Sequence, residues 1–258
     1  MQPHFTLVGA GPGDPELITL KGIKALQQAQ VVLYDALVHP DLLLHAPPSA
    51  KRIFVGKRAG QASHSQSQIN YLIAAYAHAY GHVVRLKGGD PFIFGRGMEE
   101  KLYAERFGIP VRVVPGLSSV NAAPGLQGIP LTQRGVNESF WVITGTTSQR
   151  QLSTDLALAA RSSATVVILM GTRKLGEIMN LFREQGKHEL PVGVIFSASL
   201  PNEVAIYGTV ESIETAVAAT PHEGPGIILV GPTVRQQLTQ APLPSLQESS
   251  PVDKYPAS

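Results

Sequence analysis

Short runs of β-branched and aliphatic residues alternate along the chain with amphipathic stretches. Phe5–Val8, Val31–Tyr34, Arg52–Val55, Val83–Leu86, Val111–Val114, Phe140–Thr144, Thr165–Met170, Val192–Phe196 and Ile227–Val230 read as strands. Several are apolar almost without interruption, the pattern of strands covered on both faces. Between the first two, Leu17, Leu20, Ile23 and Leu26 recur every three residues, with Lys21, Lys24, Gln27 and Gln28 turned away. Asp14 supplies an N-cap there and Pro15 the first helical position. Ile69, Leu72, Ile73 and Tyr76 form another stripe, and Ile178, Leu181 and Phe182 a third. Strand–helix alternation of this kind predicts an α/β fold with mainly parallel pairing, repeated in the second half of the chain. The stretch 115–137, dense in Gly, Pro and Ser, reads as loop and linker. It divides the chain into an N-terminal α/β domain over 1–115 and a C-terminal α/β domain over 116–240. Residues 241–258, rich in Pro, Ser and Gln, read as a flexible tail.

Composition narrows the function. The 258 residues are 43% hydrophobic and 16% charged, which supports a sizeable core and excludes general disorder. A net charge of +2 gives no global basic footprint, so no nucleic-acid partner is expected. The absence of cysteine excludes disulfides, thiolate nucleophiles and Cys-ligated metal centres. The amino terminus enters a strand at once, without a basic n-region or signal-type apolar segment, and no apolar run nears the ~20 residues of a membrane span. A cytoplasmic protein with no membrane partner is expected. The 25 glycines and 20 prolines point to tight turns and to backbone that approaches a ligand closely.

The glycines concentrate after strands. Gly9-Ala10-Gly11-Pro12-Gly13-Asp14-Pro15 follows the first strand and precedes a helix. Its G-x-G-x-G spacing departs from the G-x-G-x-x-G dinucleotide fingerprint, and Pro12 and Pro15 remove two backbone donors, so both a phosphate cradle and a plain strand–helix turn remain open. Lys87-Gly88-Gly89-Asp90-Pro91-Phe92-Ile93-Phe94-Gly95-Arg96-Gly97 follows the fourth strand. There the glycine pair lets a ligand touch the backbone, and Asp90 either accepts bonds from a ribose or amine or caps the helix that runs through Glu99, Glu100 and Leu102. In Val114-Pro115-Gly116-Leu117-Ser118-Ser119, Ser118 suits a helix N-cap or a ligand pressed against the helix start. Lys51, Arg52, Lys57, Arg58, Arg85, Lys87 and Arg96 crowd a short window containing one acid, Asp90, which suits an acidic small molecule. Asp35 sits at the carboxyl end of the second strand, a frequent place for a catalytic group. His78 and His82 have helical metal-ligand spacing, but Gly81 reads as a helix end, and no metal is expected.

Taken in order, these motifs resemble the tetrapyrrole methylases, and within them the uroporphyrinogen-III C-methyltransferases. The resemblance rests on Gly9 through Pro15, Tyr34-Asp35-Ala36-Leu37-Val38, Gly56-Lys57-Arg58 and Arg85 through Arg96. It continues in Val114-Pro115-Gly116, Gly128-Ile129-Pro130-Leu131-Thr132, Val142-Ile143-Thr144-Gly145 and Met170-Gly171. The long segment Arg85 to Arg96 is its most specific part. The resemblance implies two α/β domains with S-adenosyl-L-methionine in the cleft between them, and a homodimer. It implies methylation of uroporphyrinogen III at C2 and C7, through precorrin-1 to precorrin-2, for siroheme, cobalamin or heme d1, with S-adenosyl-L-homocysteine released. A relative acting on a later precorrin is the alternative. The family's cofactor contacts match Pro12, Gly88, Gly89, Asp90, Ile93, Ser118, Ser119, Met170, Ala198 and Gly226. Its proton acceptor matches Asp35 and its proton donor Lys57, although an ordinary lysine, with a pKa of about 10.4, suits pairing with a substrate carboxylate or tuning Asp35 better. Substrate contacts match Arg96, Glu99 and Arg134, and bidentate arginines suit an acceptor that carries eight carboxylates. The chain departs from the family at Ala36, where arginine is common, and at Gln133 and Thr146, where histidine is usual.

Overall fold

The computed structural model describes residues 2–56 and 64–239. Lys57, matched above to the proton donor, and the 241–258 tail lie outside them. The first half runs β1 (His4–Gly9), α1 (Leu20–Gln27), β2 (Val31–Tyr34), β3 (Lys51–Phe54), α2 (Gln66–Tyr80), β4 (His82–Lys87), α3 (Gly97–Arg106) and β5 (Val111–Val114). Its strands form one sheet in the order β3-β2-β4-β1-β5, with every neighbouring pair parallel. Both faces are covered. Val8, Val32, Val84 and Leu86 pack with Ala25 and Leu26 of α1, while Phe5, Leu33 and Val83 pack with Ile69, Ile73 and Ala77 of α2. The central strands β1, β2 and β4 are therefore buried on two sides, which is why their runs read as continuous, whereas the edge strands β3 and β5 keep exposed positions.

The second half begins with α4 (Ser119–Leu126) and continues β6 (Phe140–Thr144), α5 (Asp155–Arg161), β7 (Thr165–Leu169), α6 (Leu175–Arg183), β8 (Pro191–Phe196), β9 (Val204–Thr209), α7 (Ile213–Ala219), β10 (Gly226–Val230) and α8 (Arg235–Thr239). Its sheet has the order β6-β7-β10-β8-β9. Only β6 and β7 pair in parallel; β7–β10, β10–β8 and β8–β9 are antiparallel. The expectation of mainly parallel pairing thus holds for the first sheet and fails for the second. A covered strand looks alike in either direction. Val166, Ile168 and Ile228 face Leu156, Ile178 and Phe182 on one side, and Val167, Ile195 and Leu229 face Val120 and Ala123 of α4 on the other.

The structure departs from the sequence reading in three further places. The strand Val204–Thr209 was not among those expected, although Val204-Ala205-Ile206-Tyr207 is an apolar run; only Ile206 and Gly208 of it are buried, as befits a sheet edge. The stretch read as linker contains α4, whose N-cap is Ser118 accepting from Val120 N at 3.2 Å. The stripe from Leu17 is also not one helix. Asp14 caps a single 3-10 turn, Pro15–Leu17, and the chain straightens at Ile18 before Thr19 caps α1 through Gly22 N at 3.1 Å. Leu20 consequently points outward, 76% exposed. His78 lies in the last turn of α2, Gly81 ends that helix at φ +99°, and His82 opens β4. Among the described residues no group of His, Asp or Glu is arranged to hold a metal ion, and no helix is long and apolar enough to cross a membrane.

Candidate active site

Because the first sheet is parallel, the loops after β1, β2, β4 and β5 leave from the same edge, the place where open α/β sheets bind ligands. Three of these loops interlock. Gly89 N donates to Gly11 O at 2.7 Å and Gly11 N returns a bond to Gly89 O at 3.3 Å, while Ala10 N donates to Lys87 O at 2.7 Å. A Cβ built on Gly116 would lie 2.5 Å from Gly89 O and 2.7 Å from Gly9 Cα. Backbone thus meets backbone at the tips of β1, β4 and β5. Asp90 stitches the junction: Oδ1 accepts from Phe92 N at 2.8 Å and Oδ2 from Gly116 N at 3.1 Å. It caps its own turn and a neighbouring loop rather than α3, which begins seven residues later under Arg96, with no side-chain cap. Pro12, Gly88, Gly89, Asp90, Ser118 and Ser119 are brought to this one junction or directly behind it. Gly89 sits at φ +68° with nothing within 4 Å of an added Cβ, so its backbone faces open space.

Asp35 stands on the same edge. Its Oδ1 accepts from Leu37 N at 3.1 Å and Gly88 N at 3.4 Å, and its Oδ2 from Arg85 Nη2 at 3.1 Å. Its side chain keeps 23% of its surface in solvent. The described basic residues of the crowded window do not form a common surface; Lys57 and Arg58 lie outside the described residues. Arg85 and Lys87 are buried against Glu100, an acid just beyond the window that the sequence reading counted. Arg52 spends its guanidinium on the carbonyls of Leu43, Ala46, Pro47 and Ala50, and Lys51 lies over the Tyr80 ring. Among the described members, Arg96 reaches the site edge exposed. It forms a two-bond ion pair with Glu99, Nε to Oε1 at 2.8 Å and Nη2 to Oε2 at 2.7 Å. The hydrogen bond from Arg96 holds the Glu99 carboxyl below the usual carboxylate range. Phe92, Ile93 and Phe94 lie exposed beside the pair, an apolar rim next to a charged clamp.

The second sheet contributes an edge of its own. Antiparallel pairing sets Leu169 opposite Ile227, Gly226 opposite Phe196, and Phe196 opposite Val204. The end of β7, the end of β8 and the start of β10 therefore share one edge, and Met170, Ala198 and Gly226 gather there. A parallel second sheet would have sent Gly226 to the opposite end. The two edges touch where Asp14 N donates to Ser199 Oγ at 2.9 Å. The 197–203 turn is also held from α4's side: Ser199 N donates to Glu203 Oε2 at 2.6 Å, Gln127 Nε2 donates to Glu203 Oε1, and Tyr207 OH donates to Gln127 Oε1 at 2.8 Å. Burial, with the Glu203 charge nearby, pushes the Tyr207 hydroxyl up to about 12. Sequence reading missed Ser199, Glu203 and Gln127, because no spacing signal links positions so far apart. Arg134 lies exposed in the turn closed by Gln133 and Asn137, with no hydrogen bond or ion pair to any described residue.

Backbone strain marks the same edges. Phe94 (φ +52°), Arg96 (φ +59°), Met170 (φ +56°), Ser197 (φ +48°) and Ser199 (φ +69°) adopt left-handed conformations, and Arg150 is the other described non-glycine residue that does so. Such conformations cost about 1–3 kcal/mol each and gather where a site requires them. Met170 was expected to end a strand; the structure turns it out of β7, 52% exposed, with its carbonyl accepting from Thr146 Oγ1 at 2.9 Å.

Comparison with known proteins agrees with this architecture. Over 236 residues the chain is 43% identical to the uroporphyrinogen-III C-methyltransferase of Methanocaldococcus jannaschii, covering 91% of this chain and 98% of that protein. It is 42% identical to the siroheme synthase of Zymomonas mobilis over 89% of its own length, but spans only 49% of that protein. Among solved structures, uroporphyrin-III C-methyltransferase from Thermus thermophilus, in complex with S-adenosyl homocysteine, superposes with a TM-score of 0.77 at 38% identity, covering 90% of this chain and 99% of that one. A cobalt precorrin-4 methyltransferase superposes at 0.80 with 29% identity, over 90% of this chain and 95% of that one. Residues 4–214 match the family described as tetrapyrrole (corrin/porphyrin) methylases, and with that match, the shared fold and the glycine-built loop junction, the chain belongs to the tetrapyrrole methylase family.

Proposed function

We propose that the chain is an S-adenosyl-L-methionine-dependent C-methyltransferase that converts uroporphyrinogen III through precorrin-1 to precorrin-2. The observation that carries this reading is the parallel-sheet edge, where the open backbone at Gly89 and the Asp90 turn stand beside the Asp35 carboxylate. A cofactor surface and a proton acceptor share one junction. The Methanocaldococcus relative bears the corresponding name over nearly its whole length, and the Thermus structure carries the demethylated donor.

The site fits such a donor. Gly89 presents backbone with no side chain and no neighbour in the way, and Ile93 and Met170 offer exposed apolar contact. Gly88, Gly89, Asp90, Ser118 and Ser119 from one edge, and Met170, Ala198 and Gly226 from the other, would hold it, with Pro12 shaping the first turn. The bound donor supplies an electrophilic sulfonium methyl and leaves as a neutral thioether. No new charge then has to be stabilised on that side, and orientation is the main contribution of the protein, worth several kcal/mol when the acceptor carbon is held in line. Arg96 and Arg134 pair with acceptor carboxylates, and Glu99 fixes the Arg96 fork before substrate arrives. Once the methylated ring carries iminium character, a proton must leave the macrocycle, and Asp35 accepts it. Lys57 pairs with a carboxylate of the acceptor or donates a proton.

The two sheets are two α/β domains joined near residue 115, the protein is a homodimer, and it works in the cytoplasm; light scattering on the purified protein reads the second of these. Catalysis is tested by anaerobic incubation with uroporphyrinogen III and S-adenosyl-L-methionine, with products read by mass. Gain of two methyl groups is expected. No gain, with donor binding retained by calorimetry, would move the acceptor to a later precorrin.

A further inference from the structure

Under Asp35 lies a buried cluster of charges that none of the steps above uses. Arg85 and Lys87 are two residues apart on β4, so both side chains leave the same face of the sheet. Glu100 arrives from α3 and Gln66 from the first turn of α2. Lys87 Nζ donates to Glu100 Oε1 at 2.9 Å, Gln66 Nε2 donates to the same oxygen at 3.2 Å, and Arg85 Nε lies 3.5 Å from it. The side chains of Glu100, Arg85 and Lys87 are 0%, 4% and 7% exposed. Arg85 also anchors to the backbone, Nη1 donating to Leu86 O at 2.7 Å and to Leu33 O at 3.4 Å. Through Nη2 it reaches Asp35.

Such a cluster is a costly way to fill a core. Buried charges lose several kcal/mol of hydration each, and apolar residues of similar volume often serve stability as well or better. The packing is not even complete: Glu100 Oε2 and Arg85 Nε find no hydrogen-bond partner. Burial and the Arg85 charge push Lys87 below its ordinary range, with Glu100 opposing. The carboxylate of Asp35 is the one member that leads out to the site edge. A carboxylate offers roughly four acceptor positions, and Arg85, Leu37 N and Gly88 N occupy three of them, leaving one direction for an incoming proton.

We propose that Arg85, held by Glu100, is a positioning residue that fixes the Asp35 carboxylate so that its one free acceptor position faces the substrate. The inference rests on the reading of Asp35 as the proton acceptor. Arginine is required because one planar fork grips Asp35, Leu86 O and Leu33 O together; a lysine at this position carries the charge but not the fork.

The test is a double-mutant cycle with Asp35→Asn, read by radiolabelled methyl transfer. Arg85→Lys is expected to lower kcat about 10–100-fold, the scale of a misplaced catalytic group. KM for both substrates and calorimetric affinity for S-adenosyl-L-homocysteine should stay within about threefold, because the glycine junction does not contain Arg85. Combined with Asp35→Asn, it should cost nothing further, since it acts through that carboxylate. Glu100→Gln, isosteric and one buried charge fewer, should show the same non-additivity, and it reads the proposal if Arg85→Lys does not fold. Unchanged kcat in these variants while Asp35→Asn is inactive would overturn the proposal and leave Asp35 as the base. Losses that add to that of Asp35→Asn would also overturn it, because they belong to stability. Full activity in Asp35→Asn would overturn both readings together.

Discussion

Gly116 and Gly89 belong to one junction but are glycines for different reasons, and the difference can be measured. Gly116 does not have a positive φ, so alanine is allowed there by torsion and opposed only by space. Its Cβ would sit 2.5 Å from Gly89 O and 2.7 Å from both Gly9 C and Gly9 Cα. All these atoms are backbone, and ordinary contact begins near 3.4 Å. The loops must therefore part by close to an ångström, straining Gly116 N to Asp90 Oδ2 and the Gly11–Gly89 pair. Overpacking costs about 1–3 kcal/mol and each weakened bond about 1 kcal/mol, so Gly116→Ala should destabilise by about 2–4 kcal/mol. In a chain of this size that lowers the melting temperature by about 5–15 °C. Gly89→Ala meets no atom but must hold φ +68°, at about 1–2 kcal/mol. Thermal melts, paired with titration of S-adenosyl-L-homocysteine, separate the two. Gly116→Ala should lose both stability and affinity. Gly89→Ala should lose less stability, but its new methyl projects into the space assigned to the donor, so affinity should fall more than stability. A wild-type melt and affinity for Gly116→Ala would refute the account of the interlocked tips.

Other changes separate function from stability. The Arg96–Glu99 pair is exposed, and such pairs contribute at most about 1 kcal/mol, so Arg96→Ala should melt almost as wild type while KM for the tetrapyrrole rises about tenfold or more; an unchanged KM would remove Arg96 from the substrate site. His82, 3% exposed, donates through Nδ1 to Gln28 O and accepts at Nε2 from Thr6 Oγ1. Burial pulls its pKa down to about 4 from 6.5. Because the folded pKa is depressed, protons bind the unfolded chain first; the stability present above pH 6.5 drains away as pH falls towards 4, by about 3 kcal/mol. Melts across that range should show this slope, and His82→Leu, although less stable at pH 7, should flatten it. Ser199→Ala removes the hydroxyl that accepts from Asp14 N and should weaken S-adenosyl-L-homocysteine binding by about 1 kcal/mol, roughly fivefold; titration with no change would disconnect this contact from the cofactor.

Much of the N-terminal half was legible in the residue order. Apolar runs located the central strands β1, β2 and β4, since strands covered by helices on both faces are apolar almost throughout, and the shorter runs of β3 and β5 marked the half-exposed sheet edges. The glycine-rich loops were visible because backbone contact without side chains leaves few alternatives, and Asp35 was visible because a strand's carboxyl end has a fixed meaning in a parallel sheet. The remainder depended on long-range packing. Strand direction in the second sheet is invisible to a pattern that depends only on cover, yet it is the antiparallel β10 that brings Gly226 to Met170 and Ala198. The edge strand β9 was missed although Val204-Ala205-Ile206-Tyr207 is apolar; only Ile206 and Gly208 of it are buried. The basic cluster looked like a surface for an acidic ligand, whereas folding buries Arg85 and Lys87 against Glu100 and leaves Arg96 exposed at the rim. Local pattern records what each residue is covered by. Which distant charge or loop does the covering is settled only when the chain closes on itself, and that is where this site is made.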